Sequence, residues 1–357
     1  MRVALVTESF YPAVDGTTTT VKAVADRLID IGHEVRIIAP GPGLSCYRRS
    51  EVVRLRTLDK PGGQVRDALA SYRPDLVHVT SPGTVGRKAL KHAGRLGIPS
   101  VVVQQAPVAD LAAERWRTKV ADRADRVLVT APWMLDRVAA LGVEAALWEP
   151  GVDTDAFTPA LRDAWLHGSW SRARSPQGPL VTVGYVGSLH RRHGVRRLPE
   201  LNAVPGIRPV LIGDGPQRAW LRARMPQAKL TGTLATGDLT VALATLDVLV
   251  HPGTEETCCH ALREAAASGV PVVAPRAGGA RDLVRPLESG LLYDPEAPHA
   301  LARAVEAVAA DSRRALLGVR ARELATRDWR SAVDELVEQH YGPLGLRATT
   351  PVPRRPG

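Results

Sequence analysis

Cysteine is nearly missing from this chain: Cys46, Cys258 and Cys259 are the only three in 357 residues. They form no CxxC spacing and no even set from which a disulfide framework could be built. A reducing compartment fits that count, so the protein is expected in the cytoplasm. Aromatic residues make up only 4%, which leaves little for nucleobases to stack on and excludes nucleic acid from the expected partners. No run approaches the ~20 apolar residues of a membrane span. The opening MRVALVTESF carries one basic residue and too short an apolar run for a signal peptide. No GxGxxG, Walker loop or GxSxG occurs, which argues against a dinucleotide fingerprint, a P-loop and a hydrolase elbow. The histidines show no HxxxH or HxH pairing, and His190 and His193 sit among arginines that would repel a cation. Neither a metal nor a cofactor is expected.

What is present suits two α/β domains. The length exceeds one typical core, and 45% hydrophobic residues exclude wholesale disorder. A net charge of +10 rewards a phosphorylated ligand or an anionic membrane surface. Peripheral contact with the inner face of a membrane therefore stays open.

Taken in order, Val3–Val6 reads as a buried strand and Thr7–Gly16 as a loop. Val21, Val24, Ala25, Leu28 and Ile29 then repeat at helical spacing, with the Thr17–Thr20 run able to cap the start and Gly32 ending the helix. Val35–Ala39 is the next strand. Such a βαβ unit can hold a phosphate on the backbone N–H groups at its helix start, where Gly16 stands. Leu76–Val79, Val101–Val103 and Arg126–Thr130 are further strands, and Val85–Leu96 a helix. Residues 1–157 form the first doubly wound domain. The polar, Pro/Gly/Arg-containing stretch 158–178 reads as a connection, and 179–328 as a second domain with strands in VTVGYVG, Val210–Ile212 and Val248–Val250 and helices at Ala300–Ala309 and Arg313–Ala325. Residues 329–341 read as a last amphipathic helix and 343–357 as a disordered tail.

One stretch organises the second domain: HPGTEETCCHALREAAASGVPVVAP, His251–Pro275. It sets Glu256 just before a helix and Glu264 two turns further in, roughly 12 Å along the axis. Such carboxylates can touch two parts of one extended ligand. They can equally be a helix-dipole partner and a solvated face residue.

The ordered set TESFYPAVDGTTTTV, GHEV, RPDLVHVTSP, GVDTDAF, VGYVGSL, GDGP, Glu-x7-Glu and SGVPVVAPRAGG resembles a GT-B glycosyltransferase of the large retaining family four, in its bacterial α-mannosyltransferase-like branch. The resemblance covers Val3 to Tyr341. It implies two Rossmann-like domains facing across a cleft, with helix 329–341 packing back on the first. It implies transfer of a mannose-like hexose, with retention and without metal, from a nucleotide diphosphate sugar to a hydroxyl acceptor such as a glycolipid or small glycoside. In that family Glu264 would accept from ribose hydroxyls, and Glu256 and Thr257 would lie beside the donor sugar and phosphate. Asp15, Gly16 and Thr17, together with Ser188 and Gly213, would complete the donor site. His78 and Gln105 would stand on the acceptor side.

The chain departs from that pattern where the family reads G-R-L-x-x-x-K. Here the run is Gly187-Ser188-Leu189-His190-Arg191-Arg192-His193, so Ser188 replaces the arginine and His193 the lysine. Arg191, Arg192 or a protonated His193 would have to neutralise the leaving diphosphate. Where relatives often have Asp, this chain has Pro107. The rival expectation is a weakened or non-catalytic relative that binds the nucleotide-sugar as a partner protein.

Overall fold

The computed structural model describes residues 1–56, 59, 61–172, 178–325 and 327–344. The chain divides into two compact units: residues 1–150 with the C-terminal segment from Trp329, and residues 151–328.

The first unit carries strands β1 (Arg2–Thr7), β2 (Glu34–Pro40), β3 (Cys46–Tyr47), β4 (Ser50–Leu55), β5 (Leu76–Thr80), β6 (Ser100–Gln104), β7 (Arg126–Val129) and β8 (Ala146–Leu147). Their spatial order is β3-β4-β2-β1-β5-β6-β7-β8, parallel throughout except for β3 against β4. Val3, Ala4, Leu5 and Val6 are all at most 1% exposed, because helices cover both faces of a parallel sheet and an uninterrupted apolar run is what that burial needs. Strand order reverses between β1 and β5, which makes their carboxyl ends a topological switch point.

The helix Gly16–Asp30 differs from the sequence reading at its start. Asp15 is the N-cap, its Oδ1 accepting from Thr18 N–H at 2.8 Å. The threonines lie inside the first turns, and Thr18 and Thr20 are buried. The cap satisfies one orphan donor and leaves the N–H groups of Gly16 and Thr17 unpaired among the described residues.

Residues 329–341 form an α-helix, Trp329–Glu335, continued by a π-helical stretch, Leu336–Tyr341. Ala332, Val333, Leu336 and Tyr341 are fully buried in the same cluster as Val3, Val24, Leu28 and Trp148. Burial of Val333 and Leu336 contributes about 1.5–3 kcal/mol each. Trp148 Nε1–H donates to Ala332 O at 2.7 Å, and Arg27 grips Asp334 through two bonds of 2.8 and 2.7 Å. Gly342–Leu344 is a 3-10 turn, and the rest of the expected tail, 345–357, lies outside the described residues.

The second unit holds β9 (Val181–Val186), β10 (Ile207–Ile212), β11 (Lys229–Gly232), β12 (Val248–Val250), β13 (Val272–Pro275) and β14 (Gly290–Tyr293), all parallel in the order β11-β10-β9-β12-β13-β14. Its switch point lies between β9 and β12. Two expected boundaries move. Residues 151–157 belong with this unit, because Val152 N–H donates to Arg327 O at 3.1 Å and Arg322 donates to the carbonyls of Thr154 and Phe157. The expected connection 158–178 also carries structure. Pro159–Leu161 is a 3-10 turn, and Ala164–Ser171 is a helix capped by Asp163 that buries Trp170. Residues 173–177 lie outside the described residues.

Candidate functional site

In doubly wound sheets ligands bind outside the carboxyl ends of the strands, at the switch point. The two switch points of this chain differ in what fills them.

In the first unit Glu8, one residue past β1, turns its carboxylate onto the N-terminus of the helix Thr84–Leu96, where Oε1 accepts from Gly86 N–H at 2.9 Å. Burial raises the Glu8 carboxyl, and the N–H groups of Gly86, Val85 and Gly83 partly oppose that rise. A Cβ on Gly83 would lie 2.5 Å from Glu8 Cδ, so glycine is required for this approach. The helix start that would otherwise attract an anion is already answered by the chain's own carboxylate. Nothing in the sequence alone marks Glu8 for this, since its partners lie more than seventy residues away.

The expected acceptor-side residues are likewise turned inward. His78 is 0% exposed. Its Nδ1 pairs with Tyr341 OH at 2.8 Å and its Nε2 with Thr80 Oγ1 at 3.0 Å. Burial pushes the imidazole down to about 3, so it is neutral and structural. Gln105 is 9% exposed. It donates from Nε2 to Thr20 Oγ1 at 2.6 Å and accepts from Ser81 Oγ at 3.3 Å, bracing β6 against the first helix. Asp15 is a cap, as described, which leaves the amides of Gly16 and Thr17 and the Thr17 hydroxyl without a partner among the described residues.

The second switch point is built from the loop after β9 and the loop after β12. The β9 loop runs through Ser188 into a 3-10 turn, Arg191–His193, that ends on Gly194 at φ +68°. A Cβ on Gly194 would collide with Pro252 O, so this glycine lets the two loops touch. That approach brings His193 to Glu256, sixty-three residues apart. Nδ1 of His193 lies 2.7 Å from Glu256 Oε1, while Arg192 Nε–H donates to His193 Nε2 at 3.1 Å. Because Nε2 accepts, the ring proton of this arrangement sits on Nδ1 and is given to the carboxylate. His251 Nε2 stands 3.4 Å from the same oxygen, an ion-pair distance rather than a tight hydrogen bond, and its Nδ1 is buried without a partner among the described residues. The Tyr185 ring stacks on His251 and its hydroxyl donates to Ser188 O at 2.9 Å. Burial alone would raise the Glu256 carboxyl, but His251 and His193 hold it well below the usual carboxylate range.

Glu264 is the opposite case. It lies on the helix His260–Ala267 with partial solvent access. No ion pair or side-chain hydrogen bond reaches its carboxylate among the described residues. Burial raises it to about 7. A carboxylate without donors suits a ligand that brings its own hydroxyls.

The remaining expected residues divide. Arg191 and the Ser188 side chain are exposed, and Arg191 has no acid partner among the described residues. Thr257 is 7% exposed, with its hydroxyl 3.9 Å from Cys258 Sγ. Gly213 does not offer its amide, which donates to Gly232 O at 2.9 Å. With φ +135° it lies so close to Gly187 that a Cβ would meet the Gly187 carbonyl, so its part is to let two loops pass. Gly278 and Gly279 of the RAGG run lie beneath Glu256, with Gly279 N–H donating to Glu256 O at 2.8 Å. Among the described residues no three His, Cys, Asp or Glu side chains cluster as a metal would need.

Two family descriptions match the chain. Residues 14–156 match the family described as Glycosyltransferase Family 4, and residues 181–311 the one described as Glycosyl transferases group 1. A GDP-mannose-dependent alpha-mannosyltransferase of Mycolicibacterium smegmatis is 38% identical, over 98% of this chain and 99% of that protein. A GDP-mannose-dependent alpha-(1-6)-phosphatidylinositol dimannoside mannosyltransferase of Mycobacterium tuberculosis is 28% identical over 86% of this chain and 87% of its own. Among solved structures, sucrose-phosphate synthase from Thermosynechococcus elongatus superposes with a TM-score of 0.80 at 20% identity, over 96% and 99% of the two chains.

Proposed function

Since this chain belongs to the family 4 glycosyltransferases and has their two-domain GT-B fold, we propose that it moves a mannosyl unit from GDP-mannose to a hydroxyl of a glycolipid acceptor, with retention of configuration. The donor is proposed from the 38% identical relative named for GDP-mannose, and the acceptor class from the more distant relative whose name carries phosphatidylinositol dimannoside.

The observation that carries the reading is the contrast between the two switch points. One is filled by Glu8, while the other presents Glu256, His193, Arg192 and Arg191, with Glu264, unpaired among the described residues, on the following helix. In this reading Glu264 takes the ribose hydroxyls and Glu256 faces the sugar. Arg191 is the free cation for the diphosphate. No protein base is invoked, because an oxygen of the departing phosphate can take the acceptor proton as the new bond forms. The reaction is proposed to need no metal, since arginine can answer the charge that develops on the leaving group.

A weakened transferase is the second reading. The His193 ring is already bonded on both sides, to Glu256 and to Arg192, at the position where the family usually has a lysine. Steady-state release of GDP and of UDP from their sugars, with and without a lipid glycoside, separates the readings. Turnover with GDP-mannose and acceptor supports the first. Tight GDP binding with no turnover supports the second, and preference for a UDP-sugar refutes the donor assignment.

A further inference from the structure

The second unit leaves an apolar patch uncovered: Leu287, Leu316 and Val319 are 77%, 63% and 56% exposed. On the helix Arg314–Leu324, Gly318 and Ala321 are buried and Leu317 packs on the core. A Cβ on Gly318 would collide with the Gly269 carbonyl, so that side of the helix is pressed against the unit. Val319, Arg320 and Glu323 follow Leu316 by three, four and seven residues, on the outward stripe. The loop before β14 reaches this stripe. Glu288 Oε2 lies 3.8 Å from both Arg320 Nε and Arg285 Nη1, while Arg320 Nη1 donates to Glu323 Oε2 at 2.8 Å. Leu287 precedes that glutamate at φ +64°, a left-handed conformation that leucine adopts only at a cost. Its N–H donates to Gly290 O at 2.9 Å, and Ser289 closes the turn by donating to Arg285 O and accepting from Arg285 N–H, each at 2.9 Å. The turn thus holds a strained leucine out to solvent. Because β14 runs parallel to its neighbour β13, this loop lies at the amino ends of the strands, opposite the carboxyl ends that carry the candidate site.

We propose that this patch, Leu287, Leu316 and Val319 rimmed by Arg285, Glu288, Arg320 and Glu323, is where two copies of the chain pair about a twofold axis. Exposed apolar side chains grouped inside a charged rim mark protein contacts. The rim selects the occupant. Its two cations and two carboxylates sum to zero in a chain of net charge +10, so this face escapes the repulsion that holds copies apart elsewhere. A twofold contact sets a patch against itself, and a rim that carries both signs can then meet Arg with Glu, whereas a rim of one sign could not. The conformation that strains Leu287 also makes it the tip of the patch, where burial against the second copy offsets the cost. Three apolar side chains are few for a permanent dimer, which places the dissociation constant at about 1–100 µM. Pairing at the amino ends of the strands leaves the candidate site of each copy open.

The test is sedimentation velocity of the full chain from ~1 to ~300 µM. The expected result is a monomer that converts to a dimer within that range. Leu316→Ser with Val319→Ser should raise the dissociation constant at least about tenfold, because a twofold contact counts each change twice. Leu287→Gly should weaken the dimer as well, while the thermal midpoint of the dilute monomer holds or rises, since glycine accepts φ +64° without strain. Arg285→Glu with Arg320→Glu gives one charge-reversed protein, and Glu288→Arg with Glu323→Arg the other. Each alone should associate more weakly than wild type, and an equimolar mixture should pair more tightly than either. Far-UV dichroism confirms that every variant is folded. A wild type that stays monomeric throughout, a dimer indifferent to Leu316→Ser with Val319→Ser, or a mixture no tighter than its components would each overturn the proposal. So would a Leu287→Gly monomer that melts earlier than wild type, because the leucine would then serve the fold and not a partner.

Discussion

Replacing Glu264 by glutamine removes a carboxyl that burial raises to about 7 while keeping the shape of the side chain. The shift of about two and a half units from an ordinary glutamate corresponds to about 3 kcal/mol, an upper figure because the side chain keeps some solvent access. For an acid that is raised in the folded state, the native protein holds more protons than the unfolded one between about pH 4.5 and 7. Stability therefore falls as pH rises through that window, and is no longer affected below it. Relative to wild type, the Glu264→Gln protein should gain stability above pH 7 and be unchanged near pH 4, as read by urea titration at each pH. Nucleotide binding makes a second demand. If the ribose hydroxyls donate to this carboxyl, they favour its ionised form, so GDP binding must release the proton that Glu264 holds. The release should be about nine-tenths of a proton at pH 6, half at pH 7 and a tenth at pH 8. Isothermal titration in buffers of different ionisation enthalpy reads this number directly. The difference between wild type and Glu264→Gln isolates the one group from the titration of GDP itself. Affinity should fall about tenfold to a hundredfold with the loss of a hydrogen bond to a charged group. An identical proton count in the two proteins, with unchanged affinity, would refute the ribose assignment.

His193→Ala should lower kcat/KM for GDP-mannose by about tenfold to a hundredfold, since it removes the ring that joins Arg192 to Glu256. His193→Lys should retain more activity than His193→Ala; GDP-release kinetics compare them, and equal losses would show that the position does not act through a cation. Tyr341→Phe leaves His78 Nδ1 buried without its partner and should cost about 1–3 kcal/mol in urea titration at neutral pH. His78 itself is held neutral at a value of about 3, so below pH 6.5 the unfolded chain takes up a proton that the folded one refuses. Acid unfolding followed by far-UV dichroism should accordingly show stability falling between pH 6.5 and 3.

The reach of the sequence is clearest in the interior strands and longer helices. Val3–Val6 and Val101–Val103 are continuous apolar runs, and Leu76–Val79 is broken only by His78, because both faces of a parallel sheet are covered, and that composition is visible without coordinates. Edge strands carry no such mark. Lys229–Gly232, at the edge of its sheet, and Ser50–Leu55, next to the edge and flanked on that side only by the two-residue strand Cys46–Tyr47, mix polar with apolar residues, and neither reads as a strand in the sequence. At the site, Glu256 and Glu264 are legible by spacing. Their opposite electrostatics are not, because one depends on His193 across sixty-three residues and the other on an absence of donors. His78 shows the same limit from the other side: a histidine in a strand says nothing about Tyr341, which arrives from the far end of the chain.

The return of the chain at Trp329 has a consequence for how the molecule is made. The core that holds Val3, Leu28 and Trp148 lacks one wall until Ala332, Val333, Leu336 and Tyr341 join it. During synthesis the whole of residues 151–328 leaves the ribosome before that wall does. The second unit can close on itself while the first still waits, an order of events set by where the chain enters and leaves each core.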